Sequence, residues 1–91
     1  MNGDSTQPAM RRKIFTMNLD VETVSLYLLC CALADAGTAI TRETLAEKWN
    51  GSGAGLDREL RRLEERRIIG RNEDAAGDAP VYDLTDERAW R

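Results

Sequence analysis

Arg58, Arg61 and Arg62 are three of the five arginines within residues 56–67 (LDRELRRLEERR), where Leu56, Leu60 and Leu63 recur at helical spacing. At about 100° per residue the leucines cluster on one side of a helix and the arginines project on the other. A guanidinium neutralises phosphate and makes bidentate hydrogen bonds to guanine, so this face has the chemistry of a nucleic-acid surface. Ser52 is placed to cap the helix and to touch phosphate through its hydroxyl. A second basic group, Arg11, Arg12 and Lys13, closes a polar stretch that reads as a flexible electrostatic arm. The arginines also have a plain reading. Arg61 lies four residues from both Asp57 and Glu65, and Arg62 three from Glu59, spacings that make ordinary surface helix pairs.

Other chemistries find less support. The 91 residues include no histidine, which removes the commonest general base and the commonest metal ligand together. A chain this short builds one domain with little room for an enclosed active site, so no enzyme and no cofactor is expected. Gly51, Gly53 and Gly55 lack the preceding strand and the Lys-Ser/Thr pair of a phosphate loop. Asp83, Asp86 and Glu87 have no partner set and read as solvated carboxylates. Cys30 and Cys31 are adjacent in an apolar run, where helical side chains diverge too far for ordinary disulfide geometry; they read as small core residues in a reducing compartment. Residues 1–13 place no apolar stretch after their positive charges, so no secretory signal is read and a cytoplasmic location is expected, with no membrane partner.

The formal charge of −3 is an average over segregated regions. Residues 53–71 carry six arginines against four acids, and residues 1–19 three basic side chains against one acid; residues 20–52 and 72–91 are net acidic.

The elements that must position these side chains follow from capping and periodicity. Residues 1–13 are expected to be a disordered, basic-ended arm and 14–91 a single domain, with residues 14–17 (IFTM) packing onto it. Asp20 is a plausible N-cap for a helix that stops at Gly37. A short stretch, residues 38–40, leads to Thr41, which caps a second helix that places Leu45 and Trp49 on one face. Residues 50–55 (NGSGAG) make the turn into the third helix. Ile68 and Ile69 begin an extended segment, residues 72–80 form a polar loop, and residues 81–84 alternate as a returning strand. Thr85 then caps a short final turn. The fold class is therefore mainly α with a small β-hairpin.

That order, helix, short strand, helix, tight turn, helix, hairpin, resembles a winged helix-turn-helix domain. Residues 41–49 (TRETLAEKW) resemble the opening helix of the motif. Residues 56–69 (LDRELRRLEERRII) are similar to the third helix and exit of MarR-like and related small bacterial winged-helix regulators, and residues 81–86 (VYDLTD) to their closing strand. The resemblance covers residues 20–86. It implies a transcriptional regulator that puts its third helix into the major groove of duplex DNA.

Two features depart from that pattern. Residues 52–55 supply one hydroxyl and no long side chain for base readout. The loop that would be the wing carries Glu73, Asp74 and Asp78, with only Arg71 at its root, and an acidic wing is repelled by DNA. They favour an alternative, a winged-helix protein–protein interaction module, acting as adaptor or inhibitor. The first helix, apolar on most sides, would then offer Leu26, Leu29, Cys30 and Leu33 to a protein partner or to a second copy in a homodimer. The two tryptophans, Trp49 and Trp90, read as core or cover residues.

Overall fold

Local capping chemistry sets the helix boundaries in the computed structural model, which describes residues 10–72 and 80–91. Helix α1 spans Val21–Asp35 after the extended Asp20. It ends where Gly37 takes φ +73°. There the Gly37 N–H donates to the Ala34 carbonyl (3.1 Å) and the Thr38 N–H to that of Leu33 (2.9 Å), which satisfies two otherwise orphaned helix carbonyls. Strand β1 is the short Ile40–Thr41. Helix α2, Arg42–Lys48, begins in a reciprocal capping box: the Thr44 N–H donates to Thr41 Oγ1 (3.0 Å) and the Thr41 N–H to Thr44 Oγ1 (2.9 Å).

Helix α3 spans Gly53–Glu65, three residues earlier than the leucine spacing implies, because Ser52 Oγ accepts from the Gly55 N–H (3.0 Å) and holds the glycine-rich segment as a first turn. It ends as α1 does, with Arg67 in the glycine position at φ +59°. The Arg67 N–H bonds to the Glu64 carbonyl (3.0 Å) and the Ile68 N–H to that of Leu63 (2.9 Å).

Strands β2 (Ile69–Asn72) and β3 (Val81–Leu84) pair antiparallel with Ile69 opposite Leu84 and Asn72 opposite Val81. β1 adds to the other side of β3, Ile40 opposite Tyr82, so the sheet order is β1-β3-β2. The result is a small α+β fold of three α-helices and a three-stranded antiparallel sheet among the described residues.

The core draws Leu26, Tyr27, Cys30 and Leu33 from α1, Leu45 from α2, Leu56, Leu60 and Leu63 from α3, and Ile68, Ile69 and Tyr82 from the sheet side. Two flanking pieces close it. Ile14, on a 3-10 turn at Arg12–Thr16, is fully buried. Trp90 meets the Tyr27 ring edge-on, centroids 5.4 Å apart at 80°, an arrangement that suits aromatic quadrupoles.

Three expectations are corrected here. The arm does not extend to residue 13: the 3-10 turn begins at Arg12, the Arg11 N–H donates to Tyr27 Oη (2.9 Å), and Lys13 Nζ donates to the Glu87 carbonyl (2.9 Å). Residues 1–9 and the acidic loop residues Glu73, Asp74 and Asp78 lie outside the described residues. Thr85 is not the cap of the final turn, Glu87–Ala89; Asp86 is, accepting from the Arg88 N–H (2.9 Å). The Thr85 hydroxyl instead packs against the carbonyls of Arg67 and Ile68 and accepts the Trp90 Nε1–H (3.1 Å), tying the end of β3 to the end of α3. Finally, Leu26, Cys30 and Leu33 are core residues, at most 5% exposed, and are closed to any partner. The outward side of α1 is instead marked by Val21, 75% exposed, and Leu28, 38%.

Candidate nucleic-acid interface

The outward face of α3 carries Ala54, Asp57, Arg58, Arg61 and Glu65, all exposed, opposite the buried Leu56, Leu60 and Leu63. The 3.6-residue period therefore sorts this helix as its leucine spacing implies. Arg58 and Arg61 share that face. Arg62 turns toward the start of α1, where its Nη1 meets Asp20 Oδ2 at 2.6 Å. Asp20 is engaged there and makes no side-chain cap to its own helix.

The helix pairs anticipated from spacing are not those formed. Asp57 accepts from Arg42 Nε (2.6 Å) and Nη2 (3.3 Å), a two-pronged contact from α2. This bond holds the Asp57 carboxyl below its ordinary range and raises the Arg42 guanidinium, as the bond to Asp20 raises Arg62. Arg71 at the root of β2 donates to Glu64 Oε1 (3.3 Å) and lies over the Tyr82 ring. Arg61 makes no ion pair with a described residue. Of the basic triplet, Lys13 is bound to the C-terminal turn and the Arg11 backbone to α1, while Arg12 is exposed. Ser52 caps α3, with its hydroxyl accepting from Gly55.

Beneath the arginines lies a residue that spacing to the leucines could have revealed. Glu59, three residues after Leu56 and four before Leu63, falls on the inward stripe and is 1% exposed. Its Oε1 accepts the Thr23 hydroxyl (2.6 Å) and its Oε2 the Arg58 Nε–H (3.2 Å), whose side chain is 65% exposed. A buried carboxylate is tolerable only when bonded in this way. Glu59 thus fixes the root of the Arg58 guanidinium while its remaining N–H groups face outward.

The glycine turn has a spacing role. A Cβ at Gly51 would stand 3.0 Å from Trp49 Nε1, and one at Gly53 2.9 Å from Arg42 Nη2. Trp49 Nε1 is buried with no hydrogen-bond acceptor among the described residues. On the other side of Trp49 a groove of about 420 Å³ runs between α1 and the end of α2, lined by Val21, Glu22, Leu28, Leu29, Lys48 and Trp49 among others. Of the four residues expected at a partner surface, Leu29 alone reaches it.

Among the described residues, no cluster of three or more potential metal ligands occurs, and no helix is long and apolar enough to cross a membrane. Comparison of the chain with protein-family models, with curated proteins and with solved structures finds no match in any of the three.

Proposed function

We propose that the chain is a winged helix-turn-helix domain that binds duplex DNA through α3 and acts as a transcriptional regulator. The element order α1-β1-α2-α3-β2-β3 with sheet order β1-β3-β2 supports the winged-helix reading. The observation that carries the DNA reading is the pair Arg58 and Arg61 on the exposed face of α3, Arg58 anchored from below by Glu59 and Arg61 without an ion pair to a described residue. Exposed ion pairs such as Arg62–Asp20 are worth about 0–1 kcal/mol, so a phosphate displaces the carboxylate at small cost. The first turn of α3, Gly53 to Gly55, lacks long side chains and lets the helix backbone approach the duplex closely. Contacts of this kind are directed to phosphate more than to base edges, so sequence selectivity is modest.

The test is binding of the full chain to mixed-sequence duplex across a salt series. Affinity falls steeply with salt, and the slope of log K against log salt drops by roughly one per arginine in Arg58→Ala and Arg61→Ala. No binding near about 50 mM salt, where counterion release is most favourable, sinks the reading. A second reading, an interaction module that docks a protein, is favoured by the exposed Val21 and Leu28 on α1 and by the engagement of Asp57 with Arg42 on the outward face of α3. It predicts no duplex binding at any salt.

A further inference from the structure

The groove beside Trp49 has an apolar floor, Leu29 and Trp49, and an exposed apolar edge, Val21 and Leu28. The outward positions of α1, Val21, Ser25, Leu28 and Ala32, are separated by four, three and four residues, the spacing at which one helix seats against another. None of them carries a charge. The charges stand at the rim: Glu22 on α1 and Lys48 at the end of α2, both exposed. Neither makes a hydrogen bond or ion pair with a described residue, whereas Arg42, Arg58, Arg62, Arg71 and Arg88 are each paired with a carboxylate.

One acid and one base flanking a single apolar groove form a self-complementary surface. A second copy related by a two-fold axis beside Val21 and Leu28 would set Glu22 of each copy against Lys48 of the other and bury both apolar edges at once. A like-charged rim would repel a second copy, and a rim of one sign would call for a partner of the opposite sign; this rim calls for itself. We propose that the groove formed by Val21, Leu28, Leu29 and Trp49 is a homodimer interface closed by two reciprocal Glu22–Lys48 pairs. It uses the solvent side of α1, opposite the Leu26, Cys30 and Leu33 face that the core occupies.

Sedimentation equilibrium of the full chain without DNA tests this independently of the DNA reading. The wild type sediments at twice the 10.2 kDa chain mass. Val21→Glu, which places an acid in the first turn of α1 where the helix dipole favours it, and Leu28→Glu both give monomer. Glu22→Lys and Lys48→Glu each set like charges together and weaken self-association by roughly tenfold or more. Mixed in equal amounts, the two charge variants form a heterodimer, because every rim pair is again opposite in sign. A wild type that stays monomeric at the highest attainable concentration overturns the proposal. So does a dimer indifferent to both Val21→Glu and Leu28→Glu, or a mixture of the charge variants that associates no better than either alone.

Discussion

The Thr23 hydroxyl donates a 2.6 Å hydrogen bond to Glu59 Oε1, and both residues are 1% exposed. This contact joins α1 to α3 through a buried hydroxyl and a buried carboxylate. It is local enough to be tested in isolation.

Thr23→Val leaves the carboxylate buried with Arg58 as its remaining partner, and is expected to cost about 1–3 kcal/mol, the penalty of a lost bond to a buried charge. Thr23→Val with Glu59→Leu removes both polar partners and should recover much of that loss. Urea unfolding midpoints of the two variants check it; equal loss in both means that the pair contributes nothing beyond shape.

Arg67 holds φ +59° at the end of α3, where Gly37 serves the corresponding place after α1. A side chain in this left-handed region carries a cost of about 1 kcal/mol that glycine avoids. Arg67→Gly is therefore expected to raise stability by up to about 1 kcal/mol, and Gly37→Ala to lower it by a similar amount. Thermal unfolding with opposite signs for the two substitutions supports this account; a destabilised Arg67→Gly contradicts it.

Burial pushes the Cys30 thiol up to about 12 from 9.0, with neighbouring Cys31 adding to the rise. Burial raises the Tyr27 phenol as well. A group whose pKa is higher in the folded chain stabilises it below the unfolded pKa and loses that contribution as pH climbs. Stability should therefore fall as pH rises from 9.0 toward 12. In Cys30→Ala the midpoint is lower throughout, but its decline over that window is shallower. An unchanged slope would show that Cys30 does not drive the alkaline loss.

Gly51 presses on the Trp49 indole, since an added Cβ would lie 3.0 Å from its nitrogen. Gly51→Ala is expected to cost about 1 kcal/mol by crowding that ring. Trp49→Phe removes the crowded atom, which is also a donor without an acceptor among the described residues. The double variant should lose less than the sum of the singles by at least about 0.5 kcal/mol. Strict additivity in denaturant titrations would separate the glycine from the indole.

Much of this architecture is written in short-range signals. Thr41 and Ser52 cap where their side chains allow, Gly37 stops α1, and Leu56, Leu60 and Leu63 define the inward side of α3. What escaped depends on contacts between distant elements. Arg62 finds Asp20, 42 residues away, in place of a neighbour on its own helix, and Asp57 finds Arg42. Thr85 is needed at the end of α3, so its neighbour Asp86 caps the last turn. The inside of α1 was the hardest to place, because Leu26, Leu29, Cys30 and Leu33 on one side and Val21, Val24, Leu28 and Cys31 on the other are nearly equal in apolar content. Packing against α3 and Tyr27's contact with Trp90 bury Leu26, Cys30 and Leu33 together with Cys31 of the other set, and leave Val21 and Leu28 exposed. At the candidate interface, the exposed positions of Arg58 and Arg61 were legible, whereas the buried Glu59 beneath them was obscured by its charge.

The sheet order has a consequence for how the molecule comes into being. β3 lies between β1 and β2, so the strand that leaves the ribosome last among the three is the one on which both others depend. Until residues 81–84 emerge, Ile40 and Thr41 have no neighbour to bond, and neither do the edges of residues 69–72. A single late arrival at Tyr82 then completes both ladders together. Synthesis arrested before residue 81 would leave a translation product in which neither ladder of this sheet can form.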